Sequence, residues 1–361
     1  MNIAIDAREL LGNRTGVGRY LHELLRAWAS DPSVRDDSIT LCAPTPIDLA
    51  PYRGLRITAA TAEGRGLWWE QRVLPRLVAA AHADVLFAPG YTAPLASAPP
   101  TVVVLHDVSF AAHPEWFSWK EGARRRTIGR LTAERAARII AVSSFSKREI
   151  EIHFGIAPSK IAVVHNGVTP MPPSSATPTE QPTVLFVGSV FNRRHVPLLI
   201  EAVADLNRRG LGVRLDIIGE NRTTPHLDLH AHARAAGLTE IAIRSYVSDD
   251  DLRLAYASAR AFAFLSEYEG FGLTPLEALS AGVPPVVMDT PVTREIYGEE
   301  AVYVSTFTVF AVAEALRRAL FEDDTRRGIL DRAPARLARF DWMTTARATM
   351  DVLRAAVASK A

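Results

Sequence analysis

Short, almost uninterrupted runs of apolar residues recur along the chain, and segments with apolar residues at helical spacing lie between them. In the first half these runs are Asn2–Asp6, Ile39–Ala43, Val85–Ala88, Thr101–Leu105, Ile139–Val142 and Ile161–Val164. A run that is apolar at successive positions is typical of a parallel strand that is covered on both faces. The alternation of strands and helices therefore predicts a doubly wound α/β sheet, in which ligands bind at the carboxyl ends of the strands.

A second series of strands and helices follows residues 169–183, a stretch rich in proline, serine and threonine. Its predicted strands are Val184–Gly188, Arg214–Gly219, Ala261–Leu265 and Val286–Met288. We interpret residues 169–183 as a linker. The sequence thus predicts an N-terminal domain over residues 1–168 and a C-terminal domain over residues 184–340, two doubly wound Rossmann-like domains that face a cleft. A last helix is predicted near Trp342–Val357, within residues 341–361.

The most informative segment begins with the strand Ala261–Leu265 and continues through a turn, Gly270–Gly272, into a helix. Thr274 is predicted as the N-cap, because a proline follows it and Glu277 occupies the third position of a capping box. A strand, a glycine turn and a helix N-terminus form an anion site, since free N–H groups and the helix dipole point to one place. Glu269 adds a carboxylate at the mouth of that turn.

A second glycine-rich segment, Gly12–Tyr20, separates the first strand from a predicted helix, Tyr20–Trp28. Its residues Gly16 and Gly18 match neither the dinucleotide-binding spacing nor the P-loop spacing. The loop therefore either cradles a phosphate or is a tight turn that needs glycine for its backbone.

Polar residues follow several strands of the first half, and the carboxyl ends of parallel strands converge on one crevice. His106 and Asp107 come directly after Thr101–Leu105. His106 either faces a substrate, where it exchanges a proton or a hydrogen bond, or is a buried histidine bonded to backbone. Ser143 and Ser144, after another strand, either belong to the site or cap the next helix.

The loop after Val184–Gly188 carries Arg193 and Arg194, whose forked donors suit a diphosphate. The alternative is a solvated basic turn. Asp249–Asp251 contains an Asp-x-Asp pattern that could hold a divalent metal, but these acids follow Ser248 and favour the start of a helix. If the arginines neutralise a diphosphate, no metal is required.

Composition narrows the function classes. Lys and Arg number 41 against 40 Asp and Glu, a formal net charge of +1, which argues against a nucleic-acid-binding protein. The single cysteine, Cys42, excludes an internal disulfide and a cysteine-based zinc site. The first residues carry charge too early for a secretory signal, and no run approaches the roughly 18–20 apolar residues of a membrane-spanning helix. We therefore expect a cytoplasmic protein that can contact a membrane surface, such as the inner face of the membrane, without crossing it.

One segment combines aromatic and basic side chains and is a candidate for such membrane contact. Its residues are Trp116, Phe117, Trp119, Lys120, Arg124–Arg126 and Arg130. The combination suits a membrane surface or a polyprenyl-linked acceptor. Alternatively, a helix buries the aromatic rings and solvates the arginines.

Over essentially its full length the chain resembles the retaining glycosyltransferases of family four, which have the two-domain GT-B architecture. The most specific element is the pair Glu269 and Glu277, separated by seven residues within Tyr-Glu-Gly-Phe-Gly-x-x-x-x-Glu-Ala. Supporting motifs are Gly16–Tyr20, His106-Asp107, Ile140–Lys147, Asn166–Val168 and Tyr246–Asp249.

The resemblance implies a role for each site residue. Glu269 would hydrogen-bond the donor sugar and stabilise charge near the reacting carbon, and Glu277 would bind the nucleotide ribose. Arg193 and Arg194 would neutralise the leaving diphosphate, and His106 would contact the donor sugar from the first domain. The implied donor-binding set also contains Gly16, Gly18, Gly188, Ser189, Asp249, Gly270, Phe271, Gly272, Leu273 and Thr274.

The implied reaction is metal-independent transfer with retention, along a front-face path in which the leaving phosphate helps to take the acceptor proton. No cofactor is implied beyond the nucleotide-sugar co-substrate, with GDP-mannose favoured over UDP-glucose, UDP-GlcNAc or a dTDP-deoxysugar. The acceptor would be a glycan or a polyprenyl-linked sugar in cell-surface polysaccharide assembly. In the family the final helix usually returns to the first domain, which makes Trp342–Val357 a candidate for the same packing.

Three positions depart from the family pattern, and three other functions stay open. Arg194-His195 stands where Lys-Asn is more usual, and Ser189 stands where some members have a basic residue. The alternatives are another GT-B enzyme such as a nucleotide-sugar epimerase, a catalytically silent nucleotide-sugar-binding module, and glycoside hydrolysis by Glu269 and Glu277.

Overall fold

The computed structural model describes residues 1–12, 16–171 and 181–359. The chain forms two compact units: Met1–Gly167 together with Phe340–Ala361, and Val168–Arg339. Most of the predicted linker, residues 172–180, lies outside the described residues.

The first unit contains a seven-stranded sheet in the order β3-β2-β1-β4-β5-β6-β7, with every neighbouring pair parallel. Its strands are β1 Asn2–Asp6, β2 Ser38–Ala43, β3 Arg56–Thr61, β4 Val85–Ala88, β5 Thr101–Leu105, β6 Arg138–Ala141 and β7 Ile161–Val163. Its helices up to this point are α1 Gly16–Ser30, α2 Gly66–Trp68, α3 Leu74–Ala80, α4 Ser109–Ala112, α5 Trp119–Arg135 and α6 Ser144–Phe154. Every residue of β4 and β5 is buried, as continuous apolar runs predict for central strands.

The second unit contains a six-stranded parallel sheet in the order β10-β9-β8-β11-β12-β13. Its strands are β8 Thr183–Val187, β9 Arg214–Ile218, β10 Ile241–Arg244, β11 Ala261–Phe264, β12 Pro285–Met288 and β13 Val302–Val304. Its helices are α7 Val196–Arg208, α8 Leu229–Ala236, α9 Asp249–Ser258, α10 Leu273–Ser280, α11 Pro291–Tyr297, α12 Val309–Phe321 and α13 Asp323–Leu337. The predicted α/β class with two Rossmann-like parallel sheets is confirmed.

The last helix, α14 Trp342–Ala358, belongs to the first unit and packs against α1 and the sheet. The indole Nε1 of Trp28 on α1 donates to the carbonyl of Ala346 over 2.8 Å. Arg347 Nε donates to the buried Asp31 at 2.8 Å and holds the pKa of that carboxyl below its ordinary value. The first sheet is therefore covered partly by residues that follow the whole second unit in sequence.

One predicted boundary is wrong at the start of α1. The sequence predicts a turn over Gly12–Tyr20, but the helix begins at Gly16, and Gly18 is already buried inside it. Each glycine costs about 1 kcal/mol in a helix relative to alanine. Burial of Tyr20 and Leu21 one turn further on outweighs that cost. Residues 13–15 of the predicted loop lie outside the described residues.

None of the helices in the described residues combines the length and the apolar composition that a membrane-spanning helix needs.

Candidate functional site

The order of strands in the second sheet locates the candidate site. From β8 the chain proceeds outward through β9 to β10, and from β11 it proceeds in the opposite direction through β12 to β13. In such sheets ligands bind outside the carboxyl ends of the two strands where the direction reverses. The loops after β8 and β11 hold Gly188–His195 and Ser266–Gly272, the two segments that the sequence singles out.

An ion pair joins these two loops. Arg194 Nε lies 2.9 Å from Glu269 Oε1, and Arg194 Nη1 donates to the carbonyl of Ser189 at 2.9 Å. The Ser266 hydroxyl donates to the same Oε1 atom, also over 2.9 Å. From the sequence, Glu269 is assigned to a sugar and Arg194 is assigned independently to a diphosphate. In the structure, the ion pair between the two side chains holds both of them in place.

Two further features hold the arginine loop in place. Gly188 has φ +138°, and a Cβ built there would lie 2.5 Å from Arg194 Nη1, so glycine makes room for the guanidinium. The guanidinium carbon of Arg193 lies 4.6 Å from the ring centroid of Phe191. The backbone carbonyl of Arg193 accepts a hydrogen bond from the N–H of Glu267 over 3.1 Å. Arg193 and Arg194 themselves belong to one turn of 3₁₀ helix, Asn192–Arg194.

The predicted capping of α10 is wrong. The helix begins at Leu273 rather than after Thr274, and Gly272 occupies the N-cap position. Gly272 has a φ of +87°, and no side chain caps the helix there. The Tyr297 hydroxyl donates to the Gly272 carbonyl over 2.8 Å, and it would lie 2.2 Å from a Cβ at that position. A buried tyrosine therefore shapes the turn, and the start of α10 lies four residues after Glu269.

Glu277 is consequently not part of a capping box. Its side chain is buried, with 4% of the residue exposed, and Oε2 accepts a hydrogen bond from Tyr256 Oη over 3.0 Å. Tyr256 is fully buried on α9 and stacks on Phe262 with ring centroids 5.8 Å apart. Tyr256 was missed in the sequence because it lies 21 positions from Glu277 and looks like an ordinary apolar position of a helix.

The acidic segment Asp249–Asp251 starts α9, as the helix-start interpretation predicts. The Ser248 hydroxyl accepts from the N–H of Asp251 over 3.1 Å, and Arg253 pairs with Asp250 at 2.5 Å. Among the described residues no three His, Cys, Asp or Glu side chains are grouped so that they could hold a metal ion.

In the first unit, His106 lies at the carboxyl end of β5, and burial lowers its pKa. Nε2 lies 2.9 Å from the carbonyl of Pro89, which can only accept, so Nε2 carries the proton and Nδ1 of the neutral ring is an acceptor. Tyr20 packs edge-on against the ring at 5.1 Å. Asp107 is held by Tyr91 Oη over 2.9 Å and by the N–H of Ser109 over 2.8 Å, so it is a structural neighbour of His106.

Gly16 and Gly18 lie in the first turn of α1, not in a loop, while Ser143 caps α6 by accepting from the N–H of Ser146 over 2.9 Å. The predicted N-cap alternative for Ser143 is therefore confirmed.

Sequence reasoning missed one charged cluster between β1 and α1. Arg8 Nη2 lies 2.6 Å from Asp6 and 2.7 Å from Glu70, and Thr92 donates to Glu70 over 2.7 Å. Both carboxylates are buried. Their separation by more than sixty residues hides the cluster in the sequence, and it fixes the backbone that leads to α1.

Two Rossmann-like parallel sheets, with a candidate site at a point of strand reversal, are the architecture of the GT-B enzymes. Residues 14–171 match the family described as Glycosyltransferase Family 4, and residues 169–336 match Glycosyl transferases group 1. The chain belongs to these group 1 glycosyltransferases and resembles bacterial mannosyltransferases.

Individual relatives agree with this assignment, and a solved structure shares the fold. O-antigen chain mannosyltransferase B of Escherichia coli is 27% identical over 67% of this chain and 66% of that protein. GDP-mannose:cellobiosyl-diphosphopolyprenol alpha-mannosyltransferase of Komagataeibacter xylinus is 30% identical over 61% of this chain and 57% of that protein. The chain thus spans less than two thirds of the length of these two relatives. The crystal structure of Anabaena Alr3699/HepE in complex with UDP-glucose has a TM-score of 0.78 at 18% identity, covering 98% of this chain and 100% of that chain.

Proposed function

We propose that this chain is a retaining, metal-independent hexosyltransferase that moves mannose from GDP-mannose to a glycan or lipid-linked acceptor in cell-surface polysaccharide assembly. The Arg194–Glu269 pair at the strand reversal carries the proposal. Departure of a nucleoside diphosphate from a sugar develops positive charge at the anomeric carbon and negative charge on the phosphate. A fixed carboxylate beside a fixed guanidinium offers both complementary charges without reorganisation.

The other donor-site residues fit the same assignment. The Gly270–Thr274 backbone and the start of α10 would bind phosphate, and Glu277 would bind the ribose. Arg193 would add a second cation beside the diphosphate, and Gly188 and Ser189 would border it. Asp249 would lie near the base. The Nδ1 atom of neutral His106 would accept a hydrogen bond from a hydroxyl of the donor sugar.

Glu269→Gln tests the mechanism. It keeps the shape of the side chain but removes its charge, so we expect the transfer rate to fall by about 10²–10³ with GDP binding retained. Glu314→Gln is a matched control, because Glu314 is a surface carboxylate of α12 that pairs with Arg317 at 2.9 Å. Transfer at the wild-type rate in Glu269→Gln would refute the role of Glu269.

The donor and the metal are tested separately. A thermal-shift comparison of GDP-, UDP- and dTDP-sugars is expected to show the largest stabilisation with GDP-mannose, since a ligand that binds only the folded state raises the unfolding temperature. Stabilisation by none of them would contradict a nucleotide-sugar donor. Activity is expected to survive EDTA; loss on chelation and rescue by Mn²⁺ would contradict the metal-independent mechanism.

The proposal of a lipid-linked acceptor is supported by the surface of α5. Trp119 at its start is 80% exposed, and α5 carries Lys120, Arg124, Arg125, Arg126, Arg130 and Arg135 against Glu121 and Glu134. Such a surface complements anionic lipid. Binding to phosphatidylglycerol vesicles is expected to weaken in Trp119→Ala and Arg124→Glu, and equal binding to neutral phosphatidylcholine vesicles would count against it.

A further inference from the structure

A second contact joins the same loops beside the Arg194–Glu269 pair. His195 follows Arg194, and its Nε2 lies 3.4 Å from Oε1 of Glu267, two residues before Glu269. The ring of Phe307, in the loop after β13, lies 4.3 Å from the imidazole, centroid to centroid. Three loops at the carboxyl edge of the sheet thus bring a histidine, a carboxylate and an aromatic ring together.

The backbone of His195 is held in an unfavourable conformation. Its φ is +48°, a left-handed value shared by only two other non-glycine residues in the described part of the chain, His82 and Tyr91. Such a conformation persists only where the surroundings fix it, and it is concentrated at functional sites. Here it directs the imidazole toward Glu267 and Phe307 while the preceding arginine reaches Glu269.

The ring of Phe307 and the carboxylate of Glu267 both remain accessible. Phe307 is 44% exposed although one neighbour packs on it, and the Glu267 side chain is 32% exposed. A flat apolar ring beside a hydrogen-bond acceptor suits a pyranose, whose C–H groups pack on the ring while a hydroxyl donates to the carboxylate. A phosphate would be repelled by Glu267.

The strand order indicates which sugar this is. In the proposed function the base lies near Asp249, after β10, the diphosphate at Arg194, after β8, and the sugar at Glu269, after β11, so the donor would extend along the edge in that order. The next positions along the same edge belong to β12 and β13, where Phe307 lies. A ring bound there is adjacent to the donor sugar and is not part of the donor.

We propose that Phe307, with Glu267 beside it and His195 behind it, is a binding platform for the sugar ring of the acceptor. This inference rests on the proposed function. It places part of acceptor recognition in the second unit, and it identifies a neutral pyranose as the group that is recognised.

Phe307→Ala tests the platform, with Phe310→Ala as a matched control. Phe310 is the same residue type, 69% exposed, on α12 against Arg209. The full chain, saturated with GDP, is titrated with methyl α-D-mannopyranoside, mannobiose and cellobiose by ligand-observed NMR. We expect Phe307→Ala to weaken sugar binding about tenfold, Glu267→Gln to weaken it less, and Phe310→Ala to leave it unchanged. The Kd of GDP should be the same in all variants.

Different outcomes refute different parts of the reasoning. Sugar binding of wild-type strength in Phe307→Ala, or no binding of any of the three sugars to the wild type, would overturn the platform. A parallel loss of GDP-mannose affinity in Phe307→Ala would place the ring at the donor sugar and also overturn it. Failure of every nucleoside diphosphate to bind the wild type would instead refute the proposed function.

Discussion

At the scale of single residues, the buried carboxylate of Glu277 shows how a long-range partner holds a side chain that the sequence singles out. A buried carboxylate must be hydrogen-bonded, and Tyr256 Oη supplies one donor over 3.0 Å. Glu277 was predictable from the motif, whereas its partner was not, because no local pattern reports a contact between α9 and α10. The Arg194–Glu269 contact is likewise a long-range pairing of two residues that the sequence identified singly.

Tyr256→Phe is expected to reduce the affinity for GDP about tenfold, because the carboxylate that would bind the ribose loses a charge-assisted hydrogen bond. The measurement is calorimetric binding of GDP and of 2′,3′-dideoxy-GDP. Only the ribonucleotide should lose affinity. Tyr303→Phe is the control, since its hydroxyl donates to Gly298 over 2.6 Å in the same unit. An equal loss for both nucleotides would show that Tyr256 has a purely structural role.

Burial lowers the pKa of His106, and this has a consequence for stability. Between that lowered value and about 6.5, the ordinary value of histidine, the unfolded chain binds more protons, so stability rises with pH across this window. Above about pH 6.5 the imidazole is neutral in both the folded and the unfolded state, so His106 no longer changes stability with pH. His106→Gln should therefore flatten the pH dependence of urea unfolding below pH 6.5. His226→Gln, at an exposed histidine, should preserve it.

At the scale of elements, the sequence predicted the central strands almost to the residue and missed β3, β10 and β13. All three are at the edge of a sheet. An edge strand is covered less, so its residues need not form a continuous apolar run, and β3 contains no buried residue. The start of α10 was also wrong, because the partner that sets it, Tyr297, comes from another helix.

Gly272→Ala should destabilise the second unit more than Gly282→Ala. Both glycines have a left-handed φ, +87° and +79°, which costs an alanine about 1–2 kcal/mol. At Gly282 a Cβ meets nothing within 4 Å, whereas at Gly272 it would lie 2.2 Å from Tyr297 Oη. Urea unfolding followed by far-UV circular dichroism measures the difference. Equal losses in the two variants would contradict the contact, and Tyr297→Phe should partly rescue Gly272→Ala.

At the scale of the whole molecule, the chain contains two parallel sheets with similar strand orders, and its last helix packs in the first unit. The repeated alternation of strands and helices was visible in the sequence. The packing of α14 on α1 could be predicted only from the family resemblance. The apolar face of an amphipathic helix shows that the helix is packed against something, but it does not identify the element on which it packs.

Leu353→Ala should destabilise the first unit by about 2–5 kcal/mol, because Leu353 is fully buried on α14. All six tryptophans lie in that unit, so tryptophan fluorescence during urea unfolding reports on it directly. Asp351→Ala, an exposed change on the same helix, should leave the transition in place. An unchanged transition in Leu353→Ala would show that α14 contributes little to the first unit.

The return of α14 also sets an order of events on the ribosome. The first unit lacks its last helix until residues 168–339 have been made, so α1 emerges while the indole N–H of Trp28 lacks its partner, the carbonyl of Ala346. At about 5–20 residues per second this interval lasts roughly 10–30 s. The last residue of the second unit, Arg339, is made before α14, so the second unit can complete its fold before the first. The N-terminal part of this chain is therefore the last to be finished, and its exposed helix is the part that a chaperone would need to protect.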